Sequence, residues 1–302
     1  MIRILAADGM EASAISALQA KGFEVVNEHY EADALGEALT KFDVIVVRSA
    51  TKVREPNIDI AAAAGRLKLI IRGGVGVDNI DVKYAESKGI TVRNTPAASS
   101  ASVAELALGH MFSMARFIGI ANATMRNGEW NKKKYEGSEL GGKTLGLIGM
   151  GRIAQELAKR AAALGMEVIY TDILGKNDSL PYRFVSFEEV LKESDFVSLH
   201  IPAPADKKPI INAAELAMMK EGAYLVNTAR GILVDVEALC DSLDAGHLAG
   251  AALDVFPVEP ADNARVLHHP KISMTPHIGA ATAEAQQRIG AEIVDIICKF
   301  FA

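Results

Sequence analysis

Leu145-Gly-Leu-Ile-Gly-Met-Gly-Arg-Ile-Ala154 decides the fold. A short apolar run of strand character ends in two glycines, and a helical pattern opens directly behind them. Gly149, Gly151 and Ala154 occupy the three small positions of a dinucleotide-binding fingerprint, in which the third position accepts Gly or Ala. The first small residue lets the strand turn tightly, and the second lets a pyrophosphate approach the backbone. The third lets the helix pack closely on the strand. Phosphates then meet the free N–H groups and positive dipole end of the helix. The next strand pattern, Met166–Tyr170, leads to Asp172, about 20 residues beyond the glycines, where a carboxylate accepts from ribose hydroxyls. A glycine triplet alone is equally a tight strand-to-helix turn without a ligand. Strand, glycines, helix, second strand and acid in this order favour the cofactor.

The chain of 302 residues is long enough for two domains with large cores. Half of it is apolar and 23% is charged, an ordinary globular balance, and the net charge of −6 offers no basic surface to nucleic acid. Cys240 and Cys298 lack metal-ligand spacing and read as small apolar residues in a reducing compartment. The N-terminus reads as a strand rather than a signal peptide, and no apolar run approaches the roughly 20 residues that span a bilayer. The expected setting is the cytoplasm, with no membrane partner and no metal.

Residues 1–97 alternate short apolar runs with helical patterns, which predicts βαβ units and a parallel sheet without a fingerprint of its own. Ser100 to about Asn127 reads as one long helix, capped by Ser100 or Ser102 and stopped by Gly128. Such a helix bridges domains or packs on a second subunit. Asn131-Lys-Lys-Lys-Tyr135 is either a solvated charge run or an anion-facing arm. Residues 143–277 hold a second alternating series with up to six strands, and Ala283–Phe301, capped by Thr282, reads as a terminal helix. The expected architecture is α/β: a first domain of residues 1–97 plus 278–302, and a Rossmann-like domain of residues 98–277. Both carry parallel sheets, with a cleft between them.

In open α/β sheets ligands bind beyond the carboxyl ends of the strands. Arg48 follows one strand candidate of the first half, and Arg72 follows another, ahead of Gly74-Val75-Gly76. Each arginine alone reads as a surface ion pair, but two at strand ends of one sheet point to an anion site. In the second half the strand ends carry Asn227-Thr-Ala-Arg-Gly231, Asp254 to Glu259, and Thr275-Pro-His277. A histidine held by a carboxylate is a general acid/base, and a nearby arginine can hold a substrate carboxylate. His277 as a core histidine and Glu259 as a plain loop residue are the competing readings. His268 and His269 read as loop residues.

At these residues the chain resembles the D-2-hydroxyacid dehydrogenases, most of all their phosphoglycerate-oxidising branch. The likeness covers nearly the whole length, through Val47–Val53, Gly74–Asp81, Asn94–Pro96, the fingerprint, Asn227–Gly231, Ala251–Phe256 and Pro276–Gly279. It implies NAD-dependent oxidation of 3-phosphoglycerate to 3-phosphohydroxypyruvate, the first step of the phosphorylated route to serine. His277 would be the acid/base, Glu259 its partner, and Arg230 the group that binds the carboxylate and polarises the C2 oxygen. Cofactor contacts are implied at Gly149, Gly151, Arg152, Ile153, Asp172, His200, Pro202, Thr228, Ala229, Asp254 and Gly279. Substrate contacts are implied at Arg48, Arg72, Gly74, Val75, Gly76 and Lys132, the last from a partner subunit in a homodimer formed through the NAD-binding domain. Three departures stand out: Ala154 for the usual glycine, Ala97-Ala-Ser-Ser100 for a more polar segment, and Lys132 for arginine, which exchanges a bidentate fork for a point charge. No regulatory segment is expected beyond Ala302. The alternatives are a glyoxylate/hydroxypyruvate or D-lactate-type reductase and, more remotely, an NAD-sensing corepressor-like binding protein.

Overall fold

Twelve short strands, none longer than five residues, set the frame of a computed structural model that describes residues 1–302. The chain divides into two compact units, Met1–Ser99 with Ala280–Ala302, and Ser100–Gly279.

In the first unit, β1 (Arg3–Ala6), β2 (Glu24–Asn27), β3 (Val44–Val47), β4 (Leu69–Arg72) and β5 (Thr91–Asn94) alternate with α1 (Ala12–Ala20), α2 (Ala32–Leu39), α3 (Glu55–Ala64) and α4 (Val82–Ser87). The strand order is β2-β1-β3-β4-β5 and every pairing is parallel. This is the flavodoxin-like order of doubly wound sheets. Side chains alternate across the sheet, and both faces are buried. Ile45, Val47 and Ile70 face Leu35, Leu39 and Ile58, while Val44, Val46, Leu69 and Ile71 pack with Leu18 and with Ile289, Ile293 and Ile297 of the terminal helix. Strands covered on both faces read as continuous apolar runs, which is how β3 and β4 appear in the sequence. Each fully buried isoleucine contributes roughly 1.5–3 kcal/mol of transfer free energy.

The second unit opens with α5 (Ser100–Ala115) and α6 (Ile118–Arg126), followed by β6 (Thr144–Ile148), α7 (Arg152–Ala163), β7 (Glu167–Thr171), β8 (Arg183–Phe184) and α8 (Phe187–Glu193). Then come β9 (Phe196–Leu199), α9 (Ala213–Met218), β10 (Tyr224–Asn227), α10 (Val236–Asp244), β11 (Gly250–Leu253), α11 (Ala264–Leu267) and β12 (Ile272–Met274). The order is β12-β11-β10-β9-β6-β7-β8, all parallel. Numbered within the unit this is 3-2-1-4-5-6 with one further strand, the Rossmann order. Ala104, Ala107 and Met111 of α5 and Leu157 and Ala158 of α7 cover one face; Val190, Leu216, Leu239 and Leu243 cover the other. The chain ends in α12 (Ala283–Phe300), where the Thr282 hydroxyl accepts from Ala285 N–H at 3.2 Å as the cap.

Three details differ from the sequence reading. The long helix is two helices bent by 64°, because the Ala115 carbonyl is taken by Ser138 N–H at 2.9 Å and Phe117 turns left-handed at φ 56°. Gly119 is the one weak helix former beside Phe117 and there is no proline, so the tertiary contact is what fixes the bend. Ser102 lies inside the first turn and spends its hydroxyl on the Gly279 carbonyl at 2.7 Å, so it is not the cap. A seventh strand, β8, is two residues long and carries no readable alternation. His269 lies in a loop as expected, buried and bonded to Asp244 at 3.2 Å.

Candidate active site

The fingerprint turn sits between β6 and α7. Gly149 has φ +87°, and a Cβ there would come within 2.6 Å of the His200 carbonyl, so the turn lies directly against the loop after β9. A Cβ on Gly151, by contrast, would meet nothing within 4 Å. Gly151 is the N-cap of α7 and no side chain caps that end. The amides of Arg152 and Ile153 thus begin the helix without a side-chain acceptor, beside an open space of the kind a pyrophosphate fills. Ala154 is fully buried, as close helix–strand packing requires. Asp172 follows β7, and its Oδ2 accepts from Met150 N–H at 2.7 Å while Oδ1 accepts from Leu174 N–H at 2.9 Å. The acid is thereby fixed next to the glycine turn. This donor and acceptor set fits a dinucleotide.

After β9, His200 bonds through Nε2 to Ser198 Oγ at 2.9 Å, and burial pushes its imidazole down to about 4, so it stays neutral. Pro202 follows in the same loop. After β10, buried Asn227 folds the chain back on itself: its Oδ1 accepts from Ala229 N–H at 3.1 Å and its Nδ2 donates to the Arg230 carbonyl at 2.8 Å. Arg230 emerges extended, with Nη1 donating to the Ala229 carbonyl at 2.6 Å. Thr228 is buried. A side chain at Gly231 would collide with the backbone of Phe256 and Pro257, so the loops after β10 and β11 lie in contact there.

Those loops meet the one after β12. His277 Nδ1 lies 2.7 Å from Glu259 Oε2, and Glu259 Oε1 accepts from Phe256 N–H at 3.1 Å. Burial alone would raise the Glu259 carboxyl, but the contacts with His277 and with Phe256 N–H outweigh it and hold the group below the usual carboxylate range. Arg230 adds its positive field to the same carboxylate. His277 is left-handed at φ 54°, a rare and strained conformation for a non-glycine residue. It is held by Asp254: the Asp254 carbonyl accepts from His277 N–H at 2.8 Å, Oδ1 from Ile278 N–H at 2.8 Å, and Oδ2 from Gly279 N–H at 2.9 Å. Asp254 is 1% exposed, so the chain itself takes most of its accepting capacity.

In the first unit Arg48 and Arg72 stand at adjacent strand ends, since the register pairs Val47 with Arg72. The Arg48–Thr51 turn is built by two residues the sequence reading passed over. Asp8 accepts from Arg48 N–H at 2.6 Å and from the Thr51 hydroxyl at 2.6 Å; Asn79 Nδ2 donates to the carbonyls of Arg48 at 2.8 Å and Thr51 at 2.7 Å. The Arg72 guanidinium lies over Gly74, where any Cβ would strike it. Thr95 N–H donates to the Gly74 carbonyl and Asn94 Nδ2 to that of Val75, which fixes the loop through Gly76. Lys132 is exposed on a single 3₁₀ turn, Lys132–Lys134, and no hydrogen bond or ion pair ties it to the other candidates.

The structure thus joins His277, Glu259, Arg230 and Asp254 in one constellation of the second unit, and Arg48, Arg72 and the glycine loop in the first. Two further residues touch Asp254 or its support: Thr275, which opens the strand-end stretch that holds His277, and His110, which carried no sequence signal.

Comparison with known proteins bears on what this arrangement does. The family model described as "D-isomer specific 2-hydroxyacid dehydrogenase, NAD binding domain" matches residues 108–279. The hydroxypyruvate reductase of Thermotoga maritima is 49% identical over 279 residues, covering 91% of this chain and 90% of that protein. The D-3-phosphoglycerate dehydrogenase of Methanocaldococcus jannaschii is 43% identical over 303 residues; the alignment covers 99% of this chain but only 57% of that longer relative. Among solved structures, the TT0316 protein of Thermus thermophilus superposes with a TM-score of 0.89 at 37% identity, covering 97% of this chain and 94% of that one.

Proposed function

Because the chain belongs to the D-isomer-specific 2-hydroxyacid dehydrogenase family, we propose that it oxidises 3-phosphoglycerate to 3-phosphohydroxypyruvate with NAD, the opening step of the phosphorylated route to serine. The observation that carries the chemistry is the 2.7 Å contact between His277 Nδ1 and Glu259 Oε2. With Nδ1 committed to the carboxylate, Nε2 is the nitrogen that takes the proton of the C2 hydroxyl. NAD held by the fingerprint residues would supply the hydride acceptor for C2. Arg230 holds the substrate carboxylate and polarises the C2 oxygen. The amides at Gly151 to Ile153 receive the pyrophosphate, Asp172 the adenosine ribose, and the loops carrying His200, Pro202, Thr228, Ala229, Asp254 and Gly279 the nicotinamide end. For the phosphate, the supporting feature is the pair Arg48 and Arg72 on adjoining strand ends with the Gly74–Gly76 amides beside them. A phosphate needs more than one cation or several backbone donors to offset its desolvation.

A second reading, reduction of hydroxypyruvate, is favoured by the Thermotoga maritima relative, which matches over 90% of its own length. Hydroxypyruvate and 3-phosphohydroxypyruvate, the 2-oxo acids of the two readings, share the three-carbon frame and differ only in the phosphate. A panel of phosphorylated and unphosphorylated 2-hydroxy and 2-oxo acids, followed by NADH absorbance, tests both. A kcat/KM for hydroxypyruvate equal to or above that for 3-phosphohydroxypyruvate rejects the first reading.

We further propose a homodimer formed through the second unit. α6 has no buried residue and exposes Ile118, Ile120 and Met125, and Trp130 beyond its end is exposed too; a second copy would cover such apolar side chains. Sedimentation at monomer mass at micromolar concentration would reject it.

A further inference from the structure

A buried row of hydrogen bonds ends on Asp254, the residue that holds His277 in its left-handed conformation. His110, on α5, is 4% exposed. Its Nε2 lies 2.9 Å from Thr275 Oγ1 and its Nδ1 2.9 Å from Ser273 Oγ. Thr275 Oγ1 donates to Asp254 Oδ1 at 2.6 Å. The Ser273 hydroxyl has a second acceptor in reach, Ser113 Oγ, at a longer 3.4 Å.

From Asp254 to His110 the proton count in this row has one solution. A threonine hydroxyl owns a single hydrogen. The Thr275 hydrogen is spent on Asp254, so its oxygen can only accept from His110, and Nε2 must carry the ring proton. Burial lowers the His110 pKa, against the smaller pull of Asp254, so the ring is neutral and Nδ1 is an acceptor. Ser273 is then its donor. The row therefore runs one way, from Ser273 through His110 and Thr275 to the Asp254 carboxylate. That carboxylate in turn receives Ile278 N–H and Gly279 N–H, and the Asp254 carbonyl receives His277 N–H. The last three groups are the backbone on which the proposed acid/base stands.

We propose that His110 and Thr275 are positioning residues for the reaction: as a fixed Nε2–H tautomer, His110 orients the Thr275 hydroxyl onto Asp254, and the oriented carboxylate keeps His277 in register with its substrate proton. The assignment rests on His277 being the acid/base. The physical reason for such a device is the strain at His277. A non-glycine residue at φ 54° relaxes unless its surroundings over-determine it. Two N–H donors to one carboxylate do so only while that carboxylate cannot swing, and the third donor, Thr275, removes its freedom. His110 removes the freedom of Thr275.

The test uses paired substitutions in the whole enzyme. Thr275→Val keeps the volume and loses the hydroxyl; Thr275→Ser keeps the hydroxyl. His110→Leu loses the donor, and His110→Gln returns an amide N–H near Nε2. Turnover is expressed per NADH-binding site, titrated by fluorescence, so that unfolded protein does not count. Thr275→Val and His110→Leu are expected to lower kcat about tenfold with KM for the 2-oxo acid within twofold. Thr275→Ser and His110→Gln are expected to recover most of it. ¹⁵N NMR of the histidine-labelled wild type should show His110 protonated at Nε2 and bare at Nδ1 at neutral pH. Wild-type kcat in Thr275→Val, or a ring protonated at Nδ1, overturns the relay. His277→Ala separates the two possible failures. Near-native turnover there overturns the acid–base reading and the positioning role with it, whereas a crippled His277→Ala beside an unimpaired Thr275→Val overturns the relay alone.

Discussion

Glu259 Oε2 and His277 Nδ1 are 2.7 Å apart, and the same carboxylate accepts from Phe256 N–H through its other oxygen. The acid is thus anchored to its own loop before it engages the histidine. Two loops from neighbouring strands converge on one histidine–carboxylate pair.

From this pair follows the first prediction. His277→Ala should lose about 10²–10⁴-fold in kcat, the usual worth of a general acid/base, with NADH affinity preserved. Glu259→Gln should lose less. That substitution keeps the side chain's size and removes only its charge. Steady-state rates of both variants at one pH check the order. Wild-type kcat in Glu259→Gln would separate the carboxylate from the chemistry.

The cofactor half gives a second expectation. Asp172 is fixed beside the fingerprint by Met150 N–H and Leu174 N–H, so it cannot turn away from a 2′-phosphate brought to the ribose position. Two anions sharing a poorly screened site repel. NAD should therefore be preferred over NADP by well over tenfold in kcat/KM, and Asp172→Ser should narrow the gap mainly by raising NADP efficiency. Equal use of the two cofactors by the wild type would remove Asp172 from the ribose.

Much of this was legible in the chain itself. The fingerprint, the strand-end positions of Arg230, Glu259 and His277, and the parallel α/β class follow from patterns whose physics is local: small residues at a turn, apolar runs, polar residues just beyond them. What stayed hidden depends on contacts between distant segments. The helix breaks at Phe117, where only Gly119 nearby is a weak helix former, because Ser138 takes a carbonyl from outside. Asp8 and Asn79 shape the Arg48 turn from 40 and 31 residues away. His110 looked like one more residue on a buried helix face, and only the fold sets it against Ser273 and Thr275.

Stability should show an acid limb from a group far from the chemistry. Asp195 precedes β9, and its carboxylate accepts from Thr144 N–H at 2.9 Å and from Lys220 Nζ at 2.7 Å, joining the starts of neighbouring strands. Burial acts to raise its pKa, but Lys220 and the Thr144 amide win and leave it lowered. A carboxylate lowered in the folded state stabilises the protein above its unfolded pKa, and the stabilisation fades as pH falls through the folded value. Asp195→Asn should cost about 1.5–3 kcal/mol at pH 7, as expected for hydrogen bonds to a charged group. The loss should shrink below pH 4. Denaturant melts of both proteins at pH 7 and pH 3.5 check the sign; a constant difference would contradict it.

The last prediction concerns what the enzyme takes as substrate. Arg48 and Arg72 follow paired strands, and the Arg72 guanidinium lies over Gly74 in the place a side chain would fill. If this pair binds a phosphate, Arg48→Ala and Arg72→Ala should each raise KM for the phosphorylated 2-oxo acid tenfold or more, since a charge-assisted hydrogen bond is worth roughly 1.5–3 kcal/mol. Hydroxypyruvate, which lacks the phosphate, should lose little. Gly74→Ala tests the same idea without deleting a charge: the new methyl group must displace Arg72, so its effect should follow that of Arg72→Ala on both substrates. Comparing the three variants on the two acids distinguishes phosphate recognition from damage to the loop. Equal losses on both substrates would assign the arginines to structure or to the carboxylate, and the substrate would then be an unphosphorylated 2-hydroxy acid.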